Sequence, residues 1–349
     1  MTRPGTPAGA MTNDVDSSAE LSWDEGAERR GYPGFFSSAR GLSLPVGSHV
    51  RSDGLGGYYI DFSVKAGTPR WPPEWLDPAE HAHVVTAQWG LGCYERYLRG
   101  EGEAWLTAAV DTADHLLREQ ERGGARDGGW SHHKPKSHTY RLTPPWLSAM
   151  AQGEGASLLV RAHAVTNDDR FAEAARRALG PLAVPTAEGG VRSSLGPGFF
   201  LEEYPTDPPS HVLNGGIFAL WGYRDVALAL GDEEAHREFE RGVDTLAQNV
   251  GRWDTGSWSR YDLFPRRVDN VASSAYHVLH INQLLAMQLI APHPELAAAA
   301  ERFAAYRRSR PNRMRAFARK ALFRVLVPRN RLLAHRTPFA HPPARRSTC

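Results

Sequence analysis

The segment LEEYPTDPPSHVLN (201–214) sets Glu202 and Glu203 beside Tyr204, directly ahead of an apolar run that reads as a helix. Pro205 biases Tyr204 towards an extended backbone, and Pro208 does the same for Asp207. Neighbouring side chains of an extended chain point to opposite sides, so Glu203 and Tyr204 share a site only across a twist. A carboxyl and a phenol at such a place suit proton transfer. The competing reading is a solvated acidic loop capped by Ser210. Further along, Tyr276, His280 and Gln283 stand at i, i+4 and i+7 and share one helix face; Ser148 and Gln152 do likewise, and Asn214 shares a stripe with Phe218 and Trp221. Brought together at the N-termini of parallel helices, these residues would form a pocket at the positive ends of the helix dipoles, suited to an anionic ligand. Taken singly, each is as well explained as a buried polar tie between helices. His132, His133 and His138 form a cluster without zinc-site spacing or a cysteine partner, so it points to a loop or a ligand contact rather than a metal. The chain has no Walker A loop, dinucleotide fingerprint or nucleophile elbow.

These residues need a scaffold, and the body of the chain supplies a repeated one. Four units each pair an apolar, small-residue-rich helix with a more charged amphipathic helix across a short Gly, Asp or Asn turn. They start near residues 80, 146, 211 and 273. The apolar members read as inner helices and the charged members as outer ones. The expected fold is therefore mostly α, an α/α toroid of about four helical hairpins, with an open superhelix as the alternative. GYYIDFS (57–63) reads as a short strand, and 186–201 and 252–264 as hairpins or long loops gathered at one mouth. The organisation expected is a largely disordered segment 1–45, a catalytic barrel 46–310 and a basic amphipathic tail 311–349.

The net charge of +2 conceals an asymmetry, because Arg307–Cys349 carries thirteen Lys or Arg and no acid, leaving residues 1–306 at −11. Within the tail, Met314, Phe317, Ala318, Ala321, Leu322, Val325 and Leu326 recur at helical spacing, and Arg313, Arg315, Arg319, Lys320 and Arg324 fill the other positions. Such a helix fits an anionic membrane surface or a polyanionic glycan; the plainer alternative is a helix docked on the core with its charges in water. No recognition motif accompanies the charge, so nucleic acid is not expected as a partner. With two cysteines, no stretch of 18 apolar residues and no apolar leader, the expected location is cytoplasmic, peripheral at a membrane through the tail. Ten Trp, eleven Tyr and thirteen Phe would also supply stacking platforms for sugar rings, although core packing accounts for most of them.

Six strings carry a resemblance: AQWGLGCYERYL (87–98), GGW (128–130), WLSAMAQGEGASLLVRA (146–162), EEYPTDPPSHVLNGGIFALWG (202–222), DTGSWSRYDL (254–263) and YHVLHINQL (276–284). In order and spacing, the chain resembles the C-terminal catalytic domain of the D-glucuronyl C5-epimerases, which convert glucuronate to iduronate in heparan-type polymers. The resemblance covers about residues 80–305. It implies an α/α barrel and places Glu203, Tyr204, Tyr261 and Tyr276 at the family's catalytic positions. Glu203 and Tyr276 would act on opposite faces of the sugar, with Tyr204 and Tyr261 assisting. Gln88, Trp130, Gln152, Asn214, His280 and Asn282 are the accompanying substrate-binding candidates. The family's Arg directly after YDL contacts the substrate carboxylate; here Phe264 and Pro265 intervene, so Arg266 or Arg267 takes that place. No metal or other cofactor is implied, the partner is an acidic polysaccharide or oligosaccharide, and a homodimer is among the expectations. Family members from animals carry a large N-terminal β-rich region, whereas here only about 80 residues precede the helices.

The chemistry is coherent. Removing a proton beside a carboxylate builds dianionic enolate character, which cations or hydrogen-bond donors must neutralise. Inversion requires an acid and a base on opposite faces, and a Tyr with its reference pKa of about 10 serves more readily as the acid. A polysaccharide lyase would begin with the same proton abstraction, a glycoside hydrolase would need two carboxylates flanking a glycosidic bond, and a glycan-binding protein would do neither.

Overall fold

A computed structural model describes residues 44–74, 76, 82–133 and 139–328. The N-terminal segment expected to be disordered, His138 and the last part of the basic tail fall outside the described residues, apart from residues 44 and 45.

Four helical hairpins form the body: α1 (His83–Leu98) with α2 (Glu103–Glu119), α3 (Ala149–Thr166) with α4 (Asp169–Ala178), α6 (Leu213–Leu230) with α7 (Glu233–Asn249), and α8 (Ser274–Ile290) with α9 (Pro294–Arg308). A single-turn helix, α5 (Gly180–Ala183), follows α4, and α10 (Arg310–Leu326) ends the described chain. The helix starts fall where the repeat predicts them. Asp168, Asp232 and Ser273 cap α4, α7 and α8 by accepting first-turn N–H groups.

The inner helices neighbour one another in the order α1, α3, α6, α8, and the outer helices back them. In α3 and α6 almost every residue up to Ala162 and Val226 is buried, whereas α4 and α7 bury one stripe, such as Phe171, Ala174, Ala175 and Ala178 in α4. Burying a side chain the size of Phe171 contributes about 1.5–3 kcal/mol. Helices α3 and α6 cross in close contact because both carry glycine there: a β-carbon on Gly222 would lie 2.5 Å from the Gly153 Cα.

Residues 44–66 run across the inner helices from α8 to α1. Asn282 on α8 donates to Leu44 O at 2.8 Å, and Arg96 on α1 donates to Ser63 O at 3.0 Å. In the middle, Tyr59 donates to Asp225 Oδ1 at 2.6 Å, and Arg161 pairs with Asp225 Oδ2 at 2.6 Å while donating to Gly56 O at 3.0 Å. GYYIDFS is therefore not a strand of a sheet; Ile60 makes a single antiparallel bridge with Val46, and the tyrosines pack on Phe218 and Trp221. The one sheet among the described residues is the expected hairpin, β1 (Arg192–Leu195) with β2 (Gly198–Leu201).

Candidate active site

Two loops and two helix N-termini assemble the cluster. The strand β2 leads into Glu202–Tyr204, and the loop after α7 carries Ser257–Val271. Backbone bonds zip these loops to each other and to α6: Leu263 N donates to Ser210 O (2.9 Å), Leu213 N to Tyr261 O (3.2 Å) and Tyr261 N to Asn270 O (2.7 Å).

The two adjacent acids have separate tasks. Glu202 is fully buried and spent on structure: its Oε2 accepts from Ser210 N, Ser210 Oγ and His211 N, and its Oε1 accepts from Ser193 Oγ at 2.6 Å. Ser210 is consequently a buried partner of Glu202, not a helix cap on a solvated loop; α6 starts after Val212 without a side-chain cap. Glu203 turns the other way, onto the N-terminus of α6, where Asn214 Nδ2 lies 3.4 Å from its Oε2. The space exists because residue 215 is glycine: a β-carbon there would sit 2.4 Å from the Glu203 β-carbon. A helix N-terminus favours a carboxylate.

A bend at Glu203–Tyr204 supplies the twist that an extended chain would lack, so acid and phenol meet. Tyr204 donates to Glu203 and accepts from Tyr261. The Tyr261 ring stands edge-on to Tyr276, with centroids 4.9 Å apart and planes at 76°. Tyr204, Tyr261 and Glu203 are buried and Tyr276 is half-buried. Burial first, and the Glu203 charge second, hold the Tyr204 and Tyr261 phenols well above the usual value of 10. Both are therefore protonated donors at neutral pH. The structure thus brings together all four residues at the proposed catalytic positions.

The other candidates divide. On α8, His280 meets Ser259 Oγ through Nδ1 at 2.9 Å, while its buried Nε2 has no hydrogen-bond partner among the described residues; burial holds the ring well below its usual pKa, hence neutral. Asn214 Oδ1 is likewise unpartnered, as is Oε1 of Gln283, whose Nε2 donates to Asn214 O at 3.0 Å. Gln88 donates to Glu154 Oε1 at 2.8 Å and accepts from Lys65. By contrast, Trp130 is core: fully buried, it donates to Leu116 O at 2.9 Å and packs over Gly155. Gln152 is a backbone clamp, donating to Gly128 O (3.3 Å) and accepting from Trp130 N (3.1 Å). Asn282 is committed to Leu44. These three serve as scaffold, since Trp130 and Gln152 bond to backbone groups and the Asn282 amide nitrogen holds Leu44.

Arg266 and Arg267 also part company. Arg267 is exposed, whereas Arg266 bonds both Asp262 oxygens at 3.2 and 3.3 Å and lies 5.0 Å from the Tyr140 ring centroid. Tyr140 in turn donates to Asp262 and packs on Tyr204 with centroids 5.1 Å apart. His132 stacks on Trp146 at 4.0 Å, and His133 is exposed beside Glu121.

Three participants escaped the sequence reading. Glu154 lies inside α3, its Oε2 unpartnered; burial drives its carboxyl far above the usual range, Gln88 and Lys65 oppose this, and Glu203 adds to it. Lys65 is pushed down to about 7 by burial, against the pull of Glu154. Tyr140 is the third. A carboxylate between two glycines of a small-residue-rich helix (GEG, 153–155) was the available signal for Glu154; Lys65 ends a single 3₁₀ turn and Tyr140 sits in a loop, with no periodicity to mark them.

The chain is similar to several known proteins. The sequence model of the D-glucuronyl C5-epimerase C-terminus matches residues 94–305. D-glucuronyl C5-epimerase of Caenorhabditis elegans is 35% identical over 214 residues, which are 56% of this chain and 34% of that protein. An uncharacterized protein of Methanocaldococcus jannaschii is 28% identical over 150 residues, 42% of this chain and 47% of that one. The chain thus spans less than half the length of either relative. Among solved structures, unsaturated glucuronyl hydrolase from Bacillus sp. GL1 aligns with a TM-score of 0.41 at 18% identity, over 64% of this chain and 61% of that one.

Proposed function

The chain belongs to the D-glucuronyl C5-epimerase C-terminal family, and on that premise we propose that it inverts C5 of D-glucuronyl residues to L-iduronyl in an acidic polysaccharide or oligosaccharide. The observation that carries the reading is the convergence of one carboxyl and three phenols, Glu203, Tyr204, Tyr261 and Tyr276, from three separate chain segments. Glu203, held at the positive end of α6, is the proton acceptor on one face of the sugar. Tyr276, reaching in from the first turn of α8, serves the other face.

The protonated Tyr204 and Tyr261 phenols donate towards the negative charge that grows as the C5 proton leaves, in a water-poor site where such donors are most effective. The substrate carboxylate is met by cationic and amide groups: Arg266 reaches the phenol cluster through Tyr140, and Lys320 lies 5.7 Å from the Tyr261 ring centroid. The unpartnered Asn214, Gln283 and His280 atoms are available to sugar hydroxyls.

The test is incubation with heparosan and other uronans in heavy water, followed by NMR at C5. Deuterium incorporation with an intact chain supports the epimerase. An ultraviolet-absorbing unsaturated product would instead make it a lyase, new reducing ends a hydrolase, and binding without exchange a glycan-binding protein.

A further inference from the structure

Helix α10 is docked the unexpected way round. An amphipathic helix on a soluble core turns its apolar stripe inward. Here the inward face is largely polar and basic. Lys320 Nζ donates to Asn270 Oδ1 and Val271 O, both at 2.8 Å, and lies 5.7 Å from the Tyr261 ring centroid. Arg319 pairs with Asp269 at 2.7 Å, and Arg324 donates to Thr139 Oγ1 at 2.9 Å. Only Ala316 and Phe323 are buried.

The apolar stripe faces water instead. Met314, Phe317, Leu322, Val325 and Leu326 are all more than half exposed, with Phe317 at 65% and Val325 at 76%. At 100° per residue they fall, with Ala318 and Ala321, on one continuous face. Arg315 and Arg319 border it on one side, Arg313 and Arg324 on the other. Exposed apolar surface of this continuity marks an interaction site.

We propose that this outward face of α10 is a membrane-docking surface, which lies in the interfacial plane of an anionic bilayer with its apolar residues among the acyl-chain boundary and the exposed Arg315 on lipid phosphates. Three observations select this occupant. An apolar arc with basic borders is the pattern of an interfacial helix. The chain carries no acid after Glu301, so α10 itself carries no charge that repels anionic headgroups. A second copy of the chain, docked face to face about a twofold axis, would instead bring the two sets of arginines together. The helix lies on the surface and does not cross it, since no helix among the described residues is long and apolar enough to span a membrane. Because the inward face of the same helix contacts the loop that carries Tyr261, docking brings that loop close to the lipid surface.

The experiment is co-sedimentation of the full chain with vesicles of phosphatidylcholine alone or mixed with phosphatidylglycerol. Binding to the anionic vesicles is expected to be at least about tenfold stronger. A double variant, Phe317→Glu with Val325→Glu, leaves every basic residue in place and changes only exposed positions. It is expected to weaken that binding about tenfold or more, with circular dichroism unchanged. Absence of vesicle binding by the intact chain overturns the proposal. So does equal binding by the double variant, which would assign the effect to basic residues alone. A vesicle-free dimer in light scattering that the double variant abolishes would give the face to a second copy, and also overturns it.

Discussion

Gly215→Ala is the smallest change that reaches the cluster without touching a proposed catalytic group. The added β-carbon would sit 2.4 Å from the Glu203 β-carbon and 2.6 Å from its Oε2. Ordinary carbon contacts are about 3.5–4.0 Å, so α6 and the Glu203 loop must part by roughly 1.1–1.6 Å. The loop is the element that yields, because α6 is packed on α3 through Gly153 and Gly222. In a helix interior, alanine gains roughly 0.5–1 kcal/mol over glycine, which offsets part of an overpacking cost of about 1–3 kcal/mol. The variant therefore folds, with a melting temperature close to the parent's. A displacement of about 1 Å at a proton-transfer group costs on the order of 100-fold in rate. The assay is C5 deuterium incorporation into heparosan by NMR, beside a thermal melt. Gly251→Ala, where a β-carbon meets nothing within 4 Å, is the control and retains full exchange. If Gly215→Ala folds and exchanges at the parental rate, Glu203 is not the proton acceptor and the placement of the site is wrong.

Four further outcomes follow from the same structure. Glu203→Gln loses about 10²–10⁴ in exchange rate, the usual contribution of a general acid or base. Glu154→Gln stays within a few-fold, because burial already keeps the Glu154 carboxyl neutral and Gln presents the same acceptor to Gln88; comparable losses in the two variants would refute this division of labour. Asp262→Ala lowers stability by about 3–5 kcal/mol in a denaturant melt, since Arg266 is left in a largely buried site without its counter-charge; a loss below about 1 kcal/mol would show that Arg266 escapes to solvent. Burial holds the His277 imidazole down at about 4, whereas in the unfolded chain it titrates near 6.5. The unfolded state thus takes up a proton between those values that the folded state refuses, and stability present above pH 6.5 is lost as pH falls towards 4, by about 3 kcal/mol. His277→Phe, which keeps the ring stacked on Trp258, should flatten the melting-temperature profile over pH 4–6.5; an unchanged slope would assign the loss to other groups.

The hairpins were legible because their signal is periodic and long. Inner helices such as α6 read as nearly all apolar, outer ones such as α7 as one stripe, and the Asp and Ser caps fell at the turns. The site was legible in residue type more than in orientation. Helical spacing placed Gln152 on a face with Ser148 without saying that Gly128 and Trp130 already occupy its amide. It could not say that Glu202 would turn inward to four donors and Glu203 towards Asn214, because that choice is made by the bend at Glu203–Tyr204 and by Gly215, twelve residues on from Glu203. Asn282 and Trp130 misled for the same reason: their identity fits a sugar, and only the tertiary partners Leu44 and Leu116 show them engaged. Lys65, at the end of a single 3₁₀ turn, and Glu154, inside a helix, are linked across a long sequence separation through Gln88, which no local pattern encodes.

The tail shows how far a correct pattern can leave the geometry open. Its periodicity gives the helix and both faces, and two docking modes follow from it: apolar face in with charges wet, or charges in with apolar face out. The choice is made by Asp269, Asn270 and Val271, which offer acceptors to Arg319 and Lys320 at the rim of the phenol cluster. Three charge-assisted bonds to this loop and the burial of Phe323 compete with the burial of Met314, Phe317, Leu322 and Val325, which in water favours the opposite docking by several kcal/mol. The observed orientation is thus easier to maintain when the apolar face has somewhere else to go, and a lipid surface removes the cost. On that balance, anionic vesicles should tighten α10 on the site loop, so backbone amides of the 269–271 segment exchange hydrogen more slowly in the presence of vesicles than in buffer; faster exchange would mean that the membrane pulls α10 away and uncovers Tyr261.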